Sequence, residues 1–434
     1  MPPASCIPPL LLLLSAAAAG GAAPAALPLS ALYAAPYSWA PPPGGPPGTL
    51  CASAPGALLR ARVANTTSVS LLLYGAGGVQ GPPGLPGPLL AWSIDSAPYQ
   101  LAQAYDGTGA AAQALLLGSG LDASAPHTLR LALASSVEGQ DRWQLRPFAR
   151  GGNQFVCVTG LQVDAGGGAL PPPLRPRSLL VWGDSISEGT SALRMVFGPG
   201  SAGPGAARGG WRCEPADTYH SSALHSWAAH AADALGAELS AAAFAAQGYV
   251  TTNSYQYGNV PPFFTPGAPN ASAWQWVFGG ASRLPALAAA PPDLILNALG
   301  FNDQGVPAQV LAGAVAGSLA AVRSAVGPRT ALLQVLPFGG ALRDSSATRQ
   351  ALLAGFEQYR ATAGGAADAC SAVLDAGAAA AEGLEGLGQP TAFSCEGTHP
   401  NALGHARLGA MVAGAAARLL AALPPQCAGS GGAW

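Results

Sequence analysis

Short apolar runs separated by glycine- and proline-rich turns fill the first third of the chain. Ser68–Tyr74, Leu89–Ile94, Thr128–Leu133 and Gln154–Val158 are each strand-length, and Gly81-Pro-Pro-Gly-Leu-Pro-Gly87 is one of the intervening turns. Thr128-Leu129-Arg130-Leu131 alternates polar and apolar, as a half-buried strand does. Many short strands with such punctuation predict a β-sandwich over residues 28–170. Gly166–Pro176 has the composition of a linker. After it the period changes. Apolar strand candidates at Leu179–Trp182, Ala237–Ala242, Leu294–Leu299, Ala331–Leu336 and Ala372–Leu374 alternate with helical stretches near 219–236, 307–326, 346–363 and 401–422. Pro307 stands where a first helical turn tolerates it. This alternation predicts a parallel sheet covered by helices on both faces, a three-layer α/β unit over residues 178–424. Reactive groups of such a sheet belong at the carboxyl ends of its strands. Ser185, Gly248 and Asn302 all fall just past strand candidates.

Composition adds limits. At 434 residues, half of them apolar, the chain is long enough for two domains with sizeable cores. Only 9% of residues are charged, all 19 basic residues are arginine, and net charge is −2. With no basic cluster, nucleic-acid binding has little electrostatic support. Leu10–Leu14 followed by small residues to Ala23 reads as a signal peptide over residues 1–24, although a basic segment ahead of it is missing. It is too short to span a bilayer, and no transmembrane segment is expected elsewhere. Cys6 would leave with the signal. Cys51, Cys157, Cys213, Cys370, Cys395 and Cys427 would remain, enough for up to three disulfides in 15 possible pairings. No CxxC occurs, so neither zinc nor another metal is expected. Asn65-Thr66-Thr67 and Asn270-Ala271-Ser272 are sequons that would accept glycans in a secreted chain.

The chemistry lies in two places. Gly183-Asp184-Ser185 ends the strand-like run Ser178–Trp182, and far downstream comes Glu396-Gly397-Thr398-His399-Pro400. A serine hydroxyl is a weak nucleophile at neutral pH; it needs a base to take its proton and a partner to hold the base. The pairing points to ester hydrolysis through an acyl-enzyme. Asp184 and Asp303 are read as supports that hydrogen-bond their own turns, and Ser187 as a cap of the turn that follows. His220, His225 and His230 are five apart, a spacing that does not stack them on one helical face. His405 is read as a packing or hydrogen-bonding residue of the last helix. Trp274 and Trp276 are either a sugar-stacking wall or local core. Trp92 and Trp143 are read as sandwich core.

Four blocks line up in order: Gly183-Asp184-Ser185-Ile186-Ser187-Glu188-Gly189, Ala246-Gln247-Gly248-Tyr249, Gly300-Phe301-Asn302-Asp303, and Glu396–Asn401 followed by Gly404-His405. They resemble the SGNH, or GDSL-type, hydrolases over residues 178–424. The resemblance implies Ser185 as nucleophile and His399 as general base and then acid. It implies an oxyanion hole made by the backbone N–H groups of Ser185 and Gly248 and the side-chain amide of Asn302. A side chain at 248 would then crowd the acyl group. The family has aspartate three residues before the histidine; here that position is Glu396, one methylene longer, which either orients His399 or stands by while a backbone carbonyl holds the ring. The α/β-hydrolase elbow G-x-S-x-G is not matched, because Ile186-Ser187 follows Ser185.

A second resemblance covers the front half. Strands around Ala91–Asp95 and Leu121–Leu131, a strand leading into the Gly183 block, and Ala216–Ser221 are similar to the two-domain carbohydrate esterases of family 2, which remove acetyl groups from plant-type polysaccharides. That implies a jelly-roll-like sandwich over residues 28–170 joined to the hydrolase domain. The expected whole is a secreted, cofactor-free serine esterase acting on small acyl groups, acetyl first, of carbohydrate. The alternatives are a lipid or thioester hydrolase on the same catalytic domain, acyl transfer to another sugar, and a carbohydrate-binding wall protein that has lost turnover.

Overall fold

The protein is described here by a computed structural model covering residues 23–75, 87–105, 112–136, 142–143, 154–190, 192–193, 196–197, 212–213, 221–251, 260–268, 271–337, 346–362, 368–375, 399–424 and 427. The segment before residue 23 expected to be a signal peptide, the Gly81–Gly87 turn up to residue 86, His220, Asn270, Cys395 and Glu396 lie outside these described residues, as does the side chain of Cys213.

Two antiparallel sheets occupy the chain up to Leu170. One runs in the order Ala25–Pro28, Val156–Val163, Ser68–Tyr74, Ala112–Ser119, with Leu50–Ala52 also on Val156–Val163. The other runs Gly168–Leu170, Leu58–Ala64, His127–Ser135, Leu89–Ile94, Gln100–Gln103, with Leu32–Ala34 also on Leu58–Ala64. Their inner faces share one core, in which Val69, Leu71, Val158 and Leu161 of the first sheet meet Leu59, Val63, Leu129 and Leu131 of the second. Leu129 and Leu131 are fully buried, while Thr128 and Arg130 between them are only partly so, as alternation predicts. Trp92 belongs to this core and gives its indole N–H to Leu117 O at 2.7 Å. Cys51 and Cys157 face each other across paired strands and form a disulfide.

A five-stranded parallel sheet follows, in the order Ala237–Ala243, Arg177–Gly183, Leu294–Asn297, Ala331–Val335, Ser371–Leu374. Its strands are apolar on both faces because both faces are covered. In the strand Arg177–Gly183, Leu179 and Val181 pack with the helices Trp227–Ala234 and Ala402–Ala422, whereas Leu180 and Trp182 pack with Ala308–Val326 and Ala347–Thr362. The α/β layers expected from the sequence are therefore present. The helix expected from residue 219 starts instead at Trp227, where the Ser226 hydroxyl accepts the Ala229 N–H at 3.2 Å. Ala308–Val326 is long and apolar enough to cross a membrane, with mean hydropathy 1.4, yet half of it is buried and its Leu311, Val315 and Leu319 fill the core beside the sheet. A second disulfide, Cys370–Cys427, ties the start of the last strand to the segment after the last helix.

Spatially the sheet order is second, first, third, fourth, fifth in chain sequence. In that order the chain leaves the first strand toward one edge and the third toward the other, which opens a crevice at their carboxyl ends. The segments after Gly183, Ala243 and Asn297 all emerge there.

Candidate active site

Asp184 closes the first strand and caps the helical turn Ser185–Glu188, its carboxylate accepting the Ile186 N–H at 3.0 Å. The cap is thus Asp184 and not Ser187, which lies inside the turn. Gly189 ends the turn with φ 78°, and a Cβ there would lie 2.2 Å from Ser222 O, so only glycine fits the exit. The turn holds Ser185 half-buried while Asp184, Ile186, Ser187 and Glu188 around it are buried. Burial pushes the Asp184 carboxyl up to about 7; the bond from Ile186 and nearby His399 pull the other way.

His399 arrives from the far end of the chain. Asn401, two residues on, caps the last helix by accepting the Gly404 N–H at 3.0 Å. One turn further, the buried His405 Nδ1 accepts the Trp227 N–H at 3.1 Å and so joins that helix to the one beside the Ser185–Glu188 turn. Burial drives His405 down to about 3, which keeps its ring neutral and able to accept. The result brings His399 Nε2 to 2.9 Å from Ser185 Oγ across 214 residues of sequence.

Asn302 sits in the turn Phe301–Asp303 past the third strand of the sequence. Its amide donates to Gln247 O at 3.0 Å and to Asp184 Oδ2 at 3.3 Å, so it links all three loops at the crevice. Beside it, the fully buried Asp303 accepts the N–H groups of Tyr249 (2.7 Å), Val250 (3.1 Å) and Thr251 (3.1 Å), and the Thr251 hydroxyl (2.9 Å). A Cβ on Gly248 would lie 2.5 Å from that carboxylate. Glycine is required at 248 by Asp303, a reason different from the acyl crowding expected above. The Gly248 N–H is given to Thr251 O at 3.2 Å in this conformation.

Asp303 supports its neighbouring loop as expected. Trp274 proves to be core, 4% exposed and edge-on to Trp182 at 6.5 Å, and Trp276 packs partly buried nearby. Trp143 is not sandwich core: its ring meets Phe244 of the α/β unit, edge-on at 5.8 Å. Sequence reasoning also assigned no part to Glu188 or Arg142, which form a buried ion pair of 2.7 Å behind Ser185. Glu188 was visible in the first block. Arg142 has no local signal, because its partner is 46 residues away.

No family model and no curated protein matches the chain. Solved structures do. A family two carbohydrate esterase from Cellvibrio japonicus aligns with a TM-score of 0.64 at 16% identity, over 92% of this chain and 98% of that one. An acetyl xylan esterase from Butyrivibrio proteoclasticus aligns with a TM-score of 0.60 at 14% identity, over 91% and 97%. A salicylyl-acyltransferase, SsfX3, from a tetracycline biosynthetic pathway aligns with a TM-score of 0.54 at 18% identity, over 92% and 97%. The fold of this chain is similar to that of these structures over 91–92% of its length.

Proposed function

We propose that the protein is a serine esterase of the SGNH type that removes small acyl groups, acetyl first, from carbohydrate. The observation that carries this is the 2.9 Å contact between His399 Nε2 and Ser185 Oγ, with Asn302 beside it at the crevice. In this mechanism Ser185 Oγ attacks the ester carbonyl while its proton passes to His399. His399 then protonates the departing alcohol, and water activated by the same ring releases the carboxylic acid. Oxyanion charge falls to the Ser185 N–H, the Gly248 N–H and the Asn302 amide. Gly248 would share or give up its bond to Thr251 O, and Asn302 its bond to Asp184 or Gln247, as charge develops. Glu396 is the proposed partner of His399.

The carbohydrate assignment draws on the similar folds of the two esterases, and it includes a jelly-roll-like character for the sandwich and export from the cell. The disulfides Cys51–Cys157 and Cys370–Cys427 suit an oxidising compartment. Acyl transfer to an acceptor hydroxyl in place of water is a second reading, supported by the similar fold of the salicylyl-acyltransferase.

The test is release of p-nitrophenol from the acetate, butyrate and octanoate esters, with acetylated xylan in parallel, for wild type and Ser185→Ala. The expected result is a loss of at least about 10³-fold in the variant and a wild-type rate that falls with chain length. Equal rates for the two folded proteins would refute the nucleophile, and acylated acceptor among the products would favour transfer.

A further inference from the structure

We infer that the antiparallel sandwich is a working part of the active site: Arg142 is a positioning residue that fixes the Phe244–Gly248 loop through Glu188. The inference rests on the esterase reading above for its kinetic consequence, and on geometry alone for its structural one.

Arg142 lies between the sandwich strands His127–Ser135 and Val156–Val163, yet its side chain is 1% exposed and ends inside the α/β unit. Its Nη1 donates to Glu188 Oε1 at 2.7 Å and to Ser136 Oγ at 3.1 Å. The same Glu188 oxygen accepts the Ala245 N–H at 2.9 Å. One carboxylate oxygen therefore joins a sandwich arginine, the nucleophile turn and the loop after the second strand. The contact is reinforced from the sandwich side. The Arg142 guanidinium lies 5.8 Å from the Phe244 ring centroid, Trp143 meets the same ring edge-on, and Trp143 O accepts the Gly279 N–H at 2.7 Å.

What this clamp holds is a loop that also carries bonds of its own, Gln247 N–H to Phe244 O at 3.1 Å and Gly248 N–H to Thr251 O at 3.2 Å. Ala246 has φ 58°, a left-handed conformation that a residue with a Cβ adopts only when its surroundings impose it. Next comes Gln247, whose carbonyl takes the Asn302 amide, and then Gly248, whose far side is fixed by Asp303. The loop is pinned at both ends, by Glu188 at Ala245 and by Asp303 at Tyr249–Thr251. With Arg142 absent, Glu188 loses the charge that the clamp supplies, and it turns away or draws water in. Either change releases the Ala245 N–H and lets Ala246 relax. The carbonyl that orients Asn302 then moves, while the surface that receives the substrate stays. That separation of effects is what marks a positioning role.

The experiment compares wild type, Arg142→Met, Arg142→Lys and the double variant Arg142→Met/Glu188→Gln, with Ser185→Ala in the same panel. Steady-state kinetics on p-nitrophenyl acetate is one readout; hydrogen exchange of the 244–249 peptide is the other. Arg142→Met is expected to lower kcat about 10- to 100-fold with KM within about twofold of wild type, the scale of a misplacement near 1 Å. Arg142→Lys should recover part of that loss, since it restores charge without the planar fork. The exchange of the 244–249 amides should rise at least tenfold while the peptides of the sandwich core stay protected. The double variant carries neither charge of the pair, so it guards against simple unfolding; the amide in place of Glu188 keeps an oxygen for the Ala245 N–H, and a kcat between those of Arg142→Met and wild type is expected of it. Wild-type kcat in a folded Arg142→Met or double variant, or unchanged exchange at 244–249, overturns the proposal. Failure of both variants to fold assigns the pair to stability alone and overturns it too. Undiminished turnover in Ser185→Ala would instead sink the esterase reading, and the exchange result would then still decide the clamp.

Discussion

Single residues at the crevice carry contradictory demands, and these make them testable. Gly248 is the clearest. Alanine there would push its Cβ into the Asp303 carboxylate, which itself holds three N–H groups of the adjoining loop. Gly248→Ala is therefore expected to reduce kcat/KM on p-nitrophenyl acetate by about 10²-fold without loss of the folded circular dichroism spectrum. Asp303→Ala should be worse, since each buried donor left unsatisfied costs about 1–3 kcal/mol; a lowered Tm together with lost activity is the expected outcome. Of these residues the sequence exposed the type and the order, Ser185, Gly248, Asn302 and His399, because each stands in a short local block just past a strand or before a helix. It did not reveal why Gly248 is glycine. The atom that excludes a side chain belongs to residue 303, and only the folded loop puts it there.

Elements were legible where the pattern was strong. Ser68–Tyr74 and Leu89–Ile94 form the strands expected at the same bounds, and Ala308–Val326, Ala347–Thr362 and Ala402–Ala422 differ from expectation by a residue or so at their ends. Leu58–Ala64 was not foreseen as a strand. Arg60 and Arg62 interrupt its apolar run, and a buried arginine in a strand makes sense only once Glu238 stands opposite. The short helix Leu284–Ala289 was missed as well, being too brief to show a period. Pairing of cysteines belongs to this scale. Cys370–Cys427 closes a separation of 57 residues, and Cys370→Ser is expected to cost about 2–4 kcal/mol in denaturant unfolding. Reductant should lower the wild-type Tm and leave that of Cys370→Ser less affected.

At the scale of the whole molecule, the sandwich and the α/β unit are joined by buried polar contacts as well as by packing. Arg60 Nε donates to Glu238 Oε2 at 3.0 Å, with both side chains under a tenth exposed, and the Ser38 hydroxyl donates to Ala241 O at 2.8 Å. Burial lowers the Arg60 pKa and Glu238 raises it again. Breaking such a pair from one side costs about 3–5 kcal/mol, so Glu238→Ala should depress the calorimetric transition of the protein as one unit. A separate early transition for either half would refute that coupling. Stability against pH carries two opposed slopes. Asp184, raised to about 7, stabilises in its protonated form; that contribution is complete below about 3.8 and is lost as pH rises through 7. His405, lowered to about 3, stabilises in its neutral form; that contribution is complete above about 6.5 and is lost as pH falls through 3. Between roughly pH 4 and 6.5 the two offset each other. Asp184→Asn should unmask a fall in Tm on acidification across that window, and His405→Gln should reverse its sign.

By itself the sequence determined the alternation of strand and helix, the apolar strands that require a sheet covered on both sides, and the four blocks whose residue types suit acyl chemistry. These are local properties: periodicity, turn residues and side-chain reactivity are written within a few positions of each residue. Tertiary structure alone decided the 2.9 Å meeting of Ser185 with His399, the hold of Asp303 on the loop at Gly248, the move of Trp143 out of the sandwich, and the burial of Arg142 against Glu188. Each joins residues far apart in the chain, and their distances are set by the packing of the antiparallel sheets against the parallel sheet and its helices, which no local pattern encodes.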